Sequence, residues 1–125
     1  MTQPEFEITK AATFDAAHFL PDGGPKGSPY TRMHGHSFRV EATVRGRAQA
    51  PVGWVEDLAA LDGALKAVAA SLDHGLLNEV AGLESPTLEN ICLYFADKLK
   101  PRFPGLCRVV LSRPTIGESC ALSLS

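Results

Sequence analysis

The amino-acid sequence predicts an α+β fold in the order β-β-α-α-β-β, with a four-stranded antiparallel sheet and two helices on one face. Alternating apolar and polar residues mark strands towards both ends of the chain. Between them, two stretches have apolar residues every three or four positions, which is typical of amphipathic helices. The length of 125 residues suits one domain, residues 1–125.

The first half of the chain predicts two strands joined by a long loop. Residues 5–17 are rich in β-branched and aromatic residues, and we expect a strand that ends just before His18. Residues 20–31 contain three prolines and three glycines and are predicted to be irregular. From His36 to Arg47 the sequence alternates, which predicts a half-buried strand whose apolar face holds Phe38, Val40, Ala42 and Val44.

The second half predicts two helices and then two short strands. The first helix begins after Asp57, whose carboxylate suits the N-cap, and the second opens at Ser85-Pro86 and stops near Pro101. We place the strands at residues 108–112 and 119–124, joined by a turn. Trp54 is expected to pack in the core. Four strands leave open sheet edges, so we expect subunits to pair in an oligomer.

Composition and charge exclude several classes of protein. The net charge of -2 and the pI near 6.0 give no reason to expect binding to nucleic acid or to a membrane surface. The three cysteines are far apart and form no CxxC pair, so we expect reduced, mostly buried thiols. Residues 1–5 do not resemble a secretory signal, and no apolar run is long enough to span a bilayer, so the expected location is the cytoplasm.

The histidines are the most informative residues. His34 and His36 open a strand, where residues two apart point to the same face. His18, at the end of the preceding strand, could join them if the two strands pair antiparallel. Three histidines with one open position are typical of catalytic zinc. The alternative is that this pair of histidines lies in the core or on the surface without a metal.

A fourth histidine, His74, follows Asp73 at the end of the first helix. The carboxylate could orient the imidazole as a general acid or base. Spacing alone favours a simpler interpretation, in which His74 caps the helix C-terminus. Thr87, near the start of the second helix, could bind a ligand, although a threonine there is more often structural.

Five segments together resemble one known family, the 6-pyruvoyl-tetrahydropterin synthase / 6-carboxytetrahydropterin synthase family. They are FDAAH at 14–18, MHGHSF at 33–38, GWVEDL at 53–58, LDHGLLN at 72–78 and GLESPTLEN at 82–90. The resemblance implies the tunnelling fold and a hexamer of two stacked trimers. It also implies catalytic Zn²⁺ on His18, His34 and His36, and a proton-transfer pair of Asp73 and His74. The implied substrate is dihydroneopterin triphosphate, a small molecule from which triphosphate is eliminated, in the queuosine pathway for the carboxy-type enzymes.

The sequence departs from this family at two positions. Tyr30 stands where the resemblance implies a catalytic cysteine, so Tyr30 or Arg32 is the candidate for the missing proton-handling role. At the end of the third strand, Arg113-Pro114 falls across the position of a glutamate that grips the pterin. In this alignment Pro114 replaces the glutamate, and Glu118 is the nearest carboxylate. The candidate substrate-binding residues are therefore Thr87, Arg113 and Glu118.

Two hypotheses follow. The first is a zinc-dependent lyase of this family, with an altered substrate or reaction as one possibility. The second is a zinc-binding paralogue without turnover, which serves as a small-molecule-binding or partner subunit. The Asp73-His74 pair favours the first, because a protein that only binds has less use for an acid–base pair.

Overall fold

The computed structural model describes residues 3–125 and confirms the predicted element order. The strands are β1 (Phe6–His18), β2 (His34–Gly46), β3 (Leu106–Arg113) and β4 (Glu118–Ser123), and the helices are α1 (Leu58–Leu72) and α2 (Leu88–Leu99). The strands form one antiparallel sheet in the order β1-β2-β3-β4. None of the helices within residues 3–125 is long and apolar enough to cross a membrane.

The pairing of β1 with β2 positions the histidines. It runs without interruption from the pair Phe6–Gly46 to the pair His18–His34. The start of β2 therefore lies directly opposite the end of β1. Because side chains alternate between the two faces of a strand, His34 and His36 share a face.

The hydrophobic core lies between this sheet face and the two helices. The Phe14 and Phe38 rings stack at 5.0 Å, and Phe95 of α2 contacts Phe14 at 5.8 Å. The alternation predicted for β2 is confirmed, with four apolar side chains buried: Phe38, Val40, Ala42 and Val44. The opposite sheet face carries charged and hydroxyl side chains, such as Arg45 and Thr43.

The helix starts follow their caps, once as predicted and once not. Asp57 caps α1, and its carboxylate accepts a hydrogen bond from the Ala59 N–H at 2.9 Å. The prediction that α2 opens at Ser85-Pro86 is wrong, because Thr87 is the N-cap and its hydroxyl accepts from the Asn90 N–H at 3.1 Å. Ser85 lies before the helix, where its backbone carbonyl accepts from the Thr87 N–H at 2.9 Å and from the Asn90 side-chain amide at 2.8 Å.

Trp54 is not in the core, and that prediction is wrong. It is 46 % exposed and lies beside the exposed Phe6 and Leu58, around a shallow groove of about 460 Å³. Its neighbour Val55 packs against the core instead. Trp54 forms an extended bridge with Gln49, and adjacent residues in extended chain point to opposite sides.

The cysteines are free thiols, as predicted, but only one is fully buried. Cys92 on α2 is buried, whereas Cys107 and Cys120 are partly exposed. Burial raises the pKa of the Cys92 thiol to about 12, so it remains protonated and unreactive at neutral pH.

Candidate metal centre and acid–base pair

The three predicted histidines meet at one end of the sheet. Their ring centroids are 4.6 Å (His18–His34), 5.0 Å (His18–His36) and 4.8 Å (His34–His36) apart. One nitrogen of each ring lies within 4.8 Å of a nitrogen of both others. His18 is 1 % exposed, and the other two rings are partly buried.

Backbone carbonyls orient two of the rings. His18 Nδ1 lies 2.9 Å from the Pro86 carbonyl oxygen, and His34 Nδ1 lies 2.7 Å from that of Arg32. A carbonyl can only accept, so we assign the proton of each neutral ring to Nδ1. Each Nε2 then presents a lone pair, and the two Nε2 atoms face each other at 3.1 Å.

The third ring of the triad, that of His36, has a nitrogen without a hydrogen-bond partner in the described residues. His36 Nε2 is buried and has no hydrogen-bond partner among residues 3–125. A buried polar atom without a partner is costly, and so are two lone pairs that face each other. A divalent metal ion bound between the three nitrogens would remove both costs, so the donor set could hold such an ion.

Burial favours the neutral form of two rings of the triad, those of His18 and His36. Burial, followed by the nearby charge of Arg113, lowers the pKa of His36 to about 4. Burial also lowers the pKa of His18, and the Pro86 carbonyl opposes this shift in part. Metal ligation requires neutral imidazole, so these shifts prepare the ligands at neutral pH.

Asp73 and His74 form a pair beside the triad. Asp73 is the C-cap of α1, and its own backbone N–H closes the last turn, so His74 does not cap this helix as the simpler interpretation expected. Asp73 Oδ2 lies 3.1 Å from His74 Nδ1. The imidazole is 83 % exposed, so its other nitrogen is accessible.

The backbone of β1 holds this pair in place. The Asp15 N–H donates to Asp73 Oδ1 at 2.8 Å, and the His74 N–H donates to the Asp15 carbonyl at 2.6 Å. His74 has a left-handed backbone conformation with φ 58°, which is uncommon outside glycine. These two bonds fix a position that the helix end alone would not define.

One cavity of about 820 Å³ connects His74 with two rings of the triad. His34, His36 and His74 all line it. Thr115 and Ile116, from the turn after β3, also line it and were not found from the sequence. Their contribution depends on how β3 pairs with β2, which no local pattern reveals.

Tyr30 lies on another side of His34. It is 61 % exposed and lines a separate cavity of about 400 Å³ together with Arg32, Met33 and His34. Tyr30 does not line the cavity of His74. The structure thus brings Tyr30 close to one histidine of the triad but not to the acid–base pair.

The three candidate substrate-binding residues have different surroundings. The Thr87 hydroxyl is the N-cap of α2. Arg113 Nε lies 3.0 Å from Glu118 Oε1, an ion pair that lacks hydrogen-bond alignment, and its side chain is 15 % exposed. Pro114 begins the turn that leads to Ile116.

Asn78 is a supporting residue whose role could not be derived from the sequence. Its side-chain amide accepts from the Phe19 N–H at 3.0 Å and donates to the Phe19 carbonyl at 2.8 Å. Nearby, the Ala17 N–H donates to the Gly75 carbonyl at 2.9 Å. Residues 74–78 are thereby attached along β1, next to His18.

Comparison with known proteins agrees with this arrangement. The family model for 6-pyruvoyl tetrahydropterin synthase matches residues 7–123. A dihydroneopterin monophosphate aldolase of Pyrococcus furiosus is 34% identical over 98 residues, 78% of this chain and 78% of that protein. A 6-carboxy-5,6,7,8-tetrahydropterin synthase of Synechocystis is 38% identical over 105 residues, 79% of each chain.

A solved structure shows the same fold. The 6-pyruvoyl tetrahydropterin synthase of Caenorhabditis elegans superposes with a TM-score of 0.84 at 23% identity, covering 100% of this chain and 99% of the other. The tunnelling fold that the sequence resemblance implied is therefore confirmed. From the family match over residues 7–123 together with the two relatives, the chain belongs to the 6-pyruvoyl tetrahydropterin synthase family of enzymes.

Proposed function

We propose that this protein is a zinc-dependent lyase that acts on dihydroneopterin triphosphate or a related pterin phosphate. The observation that carries the proposal is the convergence of three imidazoles, two of which, His34 and His36, line one cavity together with His74 of the exposed carboxylate–imidazole pair. The relatives include both a synthase and an aldolase, so rearrangement and cleavage of the substrate's side chain are both candidate reactions.

Zinc suits the donor set of His18, His34 and His36. Three neutral nitrogens favour zinc over magnesium or calcium, which prefer oxygen. The facing Nε2 atoms of His18 and His34, 3.1 Å apart, would hold the ion together with a nitrogen of His36. When bound, zinc would polarise a hydroxyl or carbonyl of the substrate and make its protons easier to move.

His74 is the proposed proton-transfer group, and Asp73 is its positioning residue. Nδ1 is engaged by the Asp73 carboxylate, so Nε2 is the atom that exchanges a proton with the substrate. Asp73 also stabilises the imidazolium that forms when the ring takes up a proton. The bond from the Asp15 N–H keeps the carboxylate in place during this exchange.

Tyr30 is the proposed second proton-handling group, with Arg32 as the alternative. Both line the cavity next to His34, on another side from His74. Because Tyr30 and His74 lie on different sides of His34, they could act on two different carbon atoms of the substrate's side chain. Thr87 and Glu118 remain candidate contacts to the substrate, but each already has a partner within the protein.

The test combines metal analysis with turnover of dihydroneopterin triphosphate and monophosphate, followed by mass spectrometry. We expect stoichiometric zinc and a pterin product. His74→Asn should retain zinc and lower turnover by about 100-fold or more, because general acid–base catalysis contributes 10²–10⁴-fold. Asparagine tolerates the left-handed backbone of position 74. A loss of turnover in this variant would therefore come from the missing imidazole and not from backbone strain.

Each other outcome has a definite meaning. Zinc without turnover of either compound would favour the second hypothesis, a zinc-binding paralogue that serves as a binding or partner subunit. The position of Tyr30, outside the cavity of His74, is the observation that favours this alternative. Absence of zinc from the purified protein would overturn the proposal.

We also propose a cytoplasmic homo-oligomer, a hexamer of two trimers. β1 and β4 form the two outer edges of the sheet, and exposed edges are commonly paired or covered. Light scattering on the purified protein tests the expected mass, and a monomer at micromolar concentration would contradict it.

A further inference from the structure

We propose that Arg113 is an anion anchor, whose guanidinium binds a phosphate group of the substrate beside the histidine triad. The inference deepens the proposed function and rests on it, since it names the part of the substrate that the protein holds. It concerns binding and can be tested without turnover.

The position of Arg113 supports this role. It is the last residue of β3, one residue beyond the Ser112–Arg39 pair, and thus level with Phe38 of β2. The Arg113 guanidinium carbon lies 6.0 Å from the centre of the Phe38 ring. The same ring contacts His36 at 5.7 Å and His18 at 6.2 Å, counted between centroids. The Arg113 guanidinium and two imidazoles of the triad therefore lie around the same Phe38 ring.

The permanent positive charge of Arg113 lies next to the triad, and bound zinc would add two more positive charges there. The carboxylates of Asp15 and Asp73 lie together beside His74. Among residues 3–125, Glu118 is the one carboxylate in an ion pair with Arg113, and it is 49% exposed.

The hydrogen-bonding capacity of Arg113 is not used up by the protein. Its buried Nε has no aligned hydrogen bond, although Glu118 lies nearby. By contrast, Arg39 donates to Glu41 at 2.6 Å and Arg45 donates to Glu7 at 2.7 Å. A guanidinium offers five N–H donors and no acceptor, so it selects a ligand that accepts. Phosphate oxygens match its planar fork.

The experiment measures binding to the zinc-loaded protein by calorimetry, with tripolyphosphate, dihydroneopterin triphosphate and unphosphorylated dihydroneopterin as the probes. Arg113→Met should weaken both phosphate compounds by about 10- to 100-fold, the usual worth of charge-assisted hydrogen bonds. Binding of unphosphorylated dihydroneopterin should change little. Glu118→Gln should strengthen phosphate binding, because it removes the competing carboxylate.

Arg102→Met is the matched control. The Arg102 guanidinium carbon lies 5.4 Å from the Phe103 ring, which gives a similar cation–aromatic contact away from the triad. This variant should bind tripolyphosphate as the wild type does. Arg113→Lys keeps the charge without the fork, and its affinity should lie between those of wild type and Arg113→Met. It also provides the test if the methionine variant does not fold.

Two results would overturn the inference. One is unchanged tripolyphosphate affinity in Arg113→Met or, should that variant not fold, in Arg113→Lys. The other is an equal loss for unphosphorylated dihydroneopterin, which would mean that Arg113 shapes the site and does not hold phosphate. If no pterin is turned over but phosphate binding still depends on Arg113, the proposed reaction fails and this inference holds.

Discussion

The two ends of the β1–β2 pair carry clusters of titratable side chains that differ in their hydrogen bonding. At one end Glu7 accepts hydrogen bonds from Arg45, at 2.7 and 3.2 Å, and from Arg108 at 2.9 Å. At the other end, about 36 Å away along the strand at 3.3 Å per residue, lie His18 and His34. The Glu7 carboxylate has its hydrogen-bond donors within the protein, whereas the histidine cluster has a nitrogen without a partner among residues 3–125.

This difference separates a structural cluster from a functional one. The Glu7 cluster is exposed, its charges oppose each other, and its donors have acceptors. The triad is more buried, its nitrogen lone pairs converge, and His36 Nε2 has no protein partner in residues 3–125. Folding alone gives no reason to assemble such a site, so a ligand is the simplest explanation.

The largest expected effect comes from removing a member of the triad. His36→Ala should lower zinc affinity by more than about 100-fold, since losing even a residue that merely supports a ligand costs 10- to 100-fold. Glu7→Gln is the control and should retain full zinc content. Metal analysis after dialysis against a weak chelator makes the measurement. Equal zinc retention in both variants would abolish the distinction between the two ends.

A second expected effect is the pH dependence of the metal-free protein. An unfolded histidine titrates near 6.5, whereas His36 titrates at about 4 in the fold, and the pKa of His18 is lowered too. The unfolded chain then binds more protons, so stability falls as the pH drops from about 6.5 to about 4. Allowing for solvent screening, we expect a loss of at most about 2 kcal/mol for His36.

Urea unfolding between these pH values, with chelator present, checks this prediction. His36→Gln removes one titrating group and should make the dependence shallower. Glu7 contributes in a different pH range, because the Arg45 and Arg108 guanidinium groups lower its pKa. Its contribution is present above about 4.3, the usual Glu pKa, and is lost as the pH falls further. Identical profiles for wild type and His36→Gln would contradict the assignment.

A smaller effect is expected at Thr87, the N-cap of α2, which follows the residue whose carbonyl contacts His18. Thr87→Ala removes the cap of α2 and should cost about 1 kcal/mol of stability. Thr87→Ser should restore most of it. A change in KM with unchanged stability would instead make Thr87 a contact to the substrate. Denaturant unfolding together with steady-state kinetics distinguishes these results.

The smallest effect is expected for Glu7→Gln. The cluster is exposed, so its ion pairs are screened by salt. At low ionic strength the variant should unfold at a slightly lower temperature than the wild type. At about 1 M salt, where the Debye length is about 3 Å, the difference should disappear. A large, salt-independent loss would show that this end is a buried network after all.

Much of the fold could be predicted because it depends on local periodicity. The two strands that carry the histidines, the cap at Asp57 and the two amphipathic helices all leave local patterns in the sequence. Trp54 was placed wrongly, because periodicity does not say which of two neighbouring residues in an extended turn faces the core. The sequence does not fix the start of α2, because two nearby hydroxyl residues, Ser85 and Thr87, can each serve as the cap.

The site was predictable in its ligands but not in their support. His34 and His36 are recognisable from their spacing, and antiparallel pairing brings His18 opposite. The carbonyls of Pro86 and Arg32, which orient the rings, carry no side-chain signature. The Pro86 carbonyl meets His18 only when segments 68 residues apart pack together, whereas the Arg32 carbonyl contacts a histidine two residues away. Hydrogen bonds from Asn90 to Thr87 and to Ser85 hold the segment 82–90 around Pro86.

The attachment of residues 74–76 to β1 has a consequence for how copies of this chain can associate. The Asp15 carbonyl and the Ala17 N–H, both on the outer edge of β1, are already bonded to this segment. A neighbouring strand can therefore add along residues 6–14 only, a length of about 30 Å. In the proposed oligomer, the segment that carries His74 would stop a neighbouring strand from sliding further along β1. Loss of this segment would then leave the alignment of the proposed subunits undefined, as well as removing the imidazole.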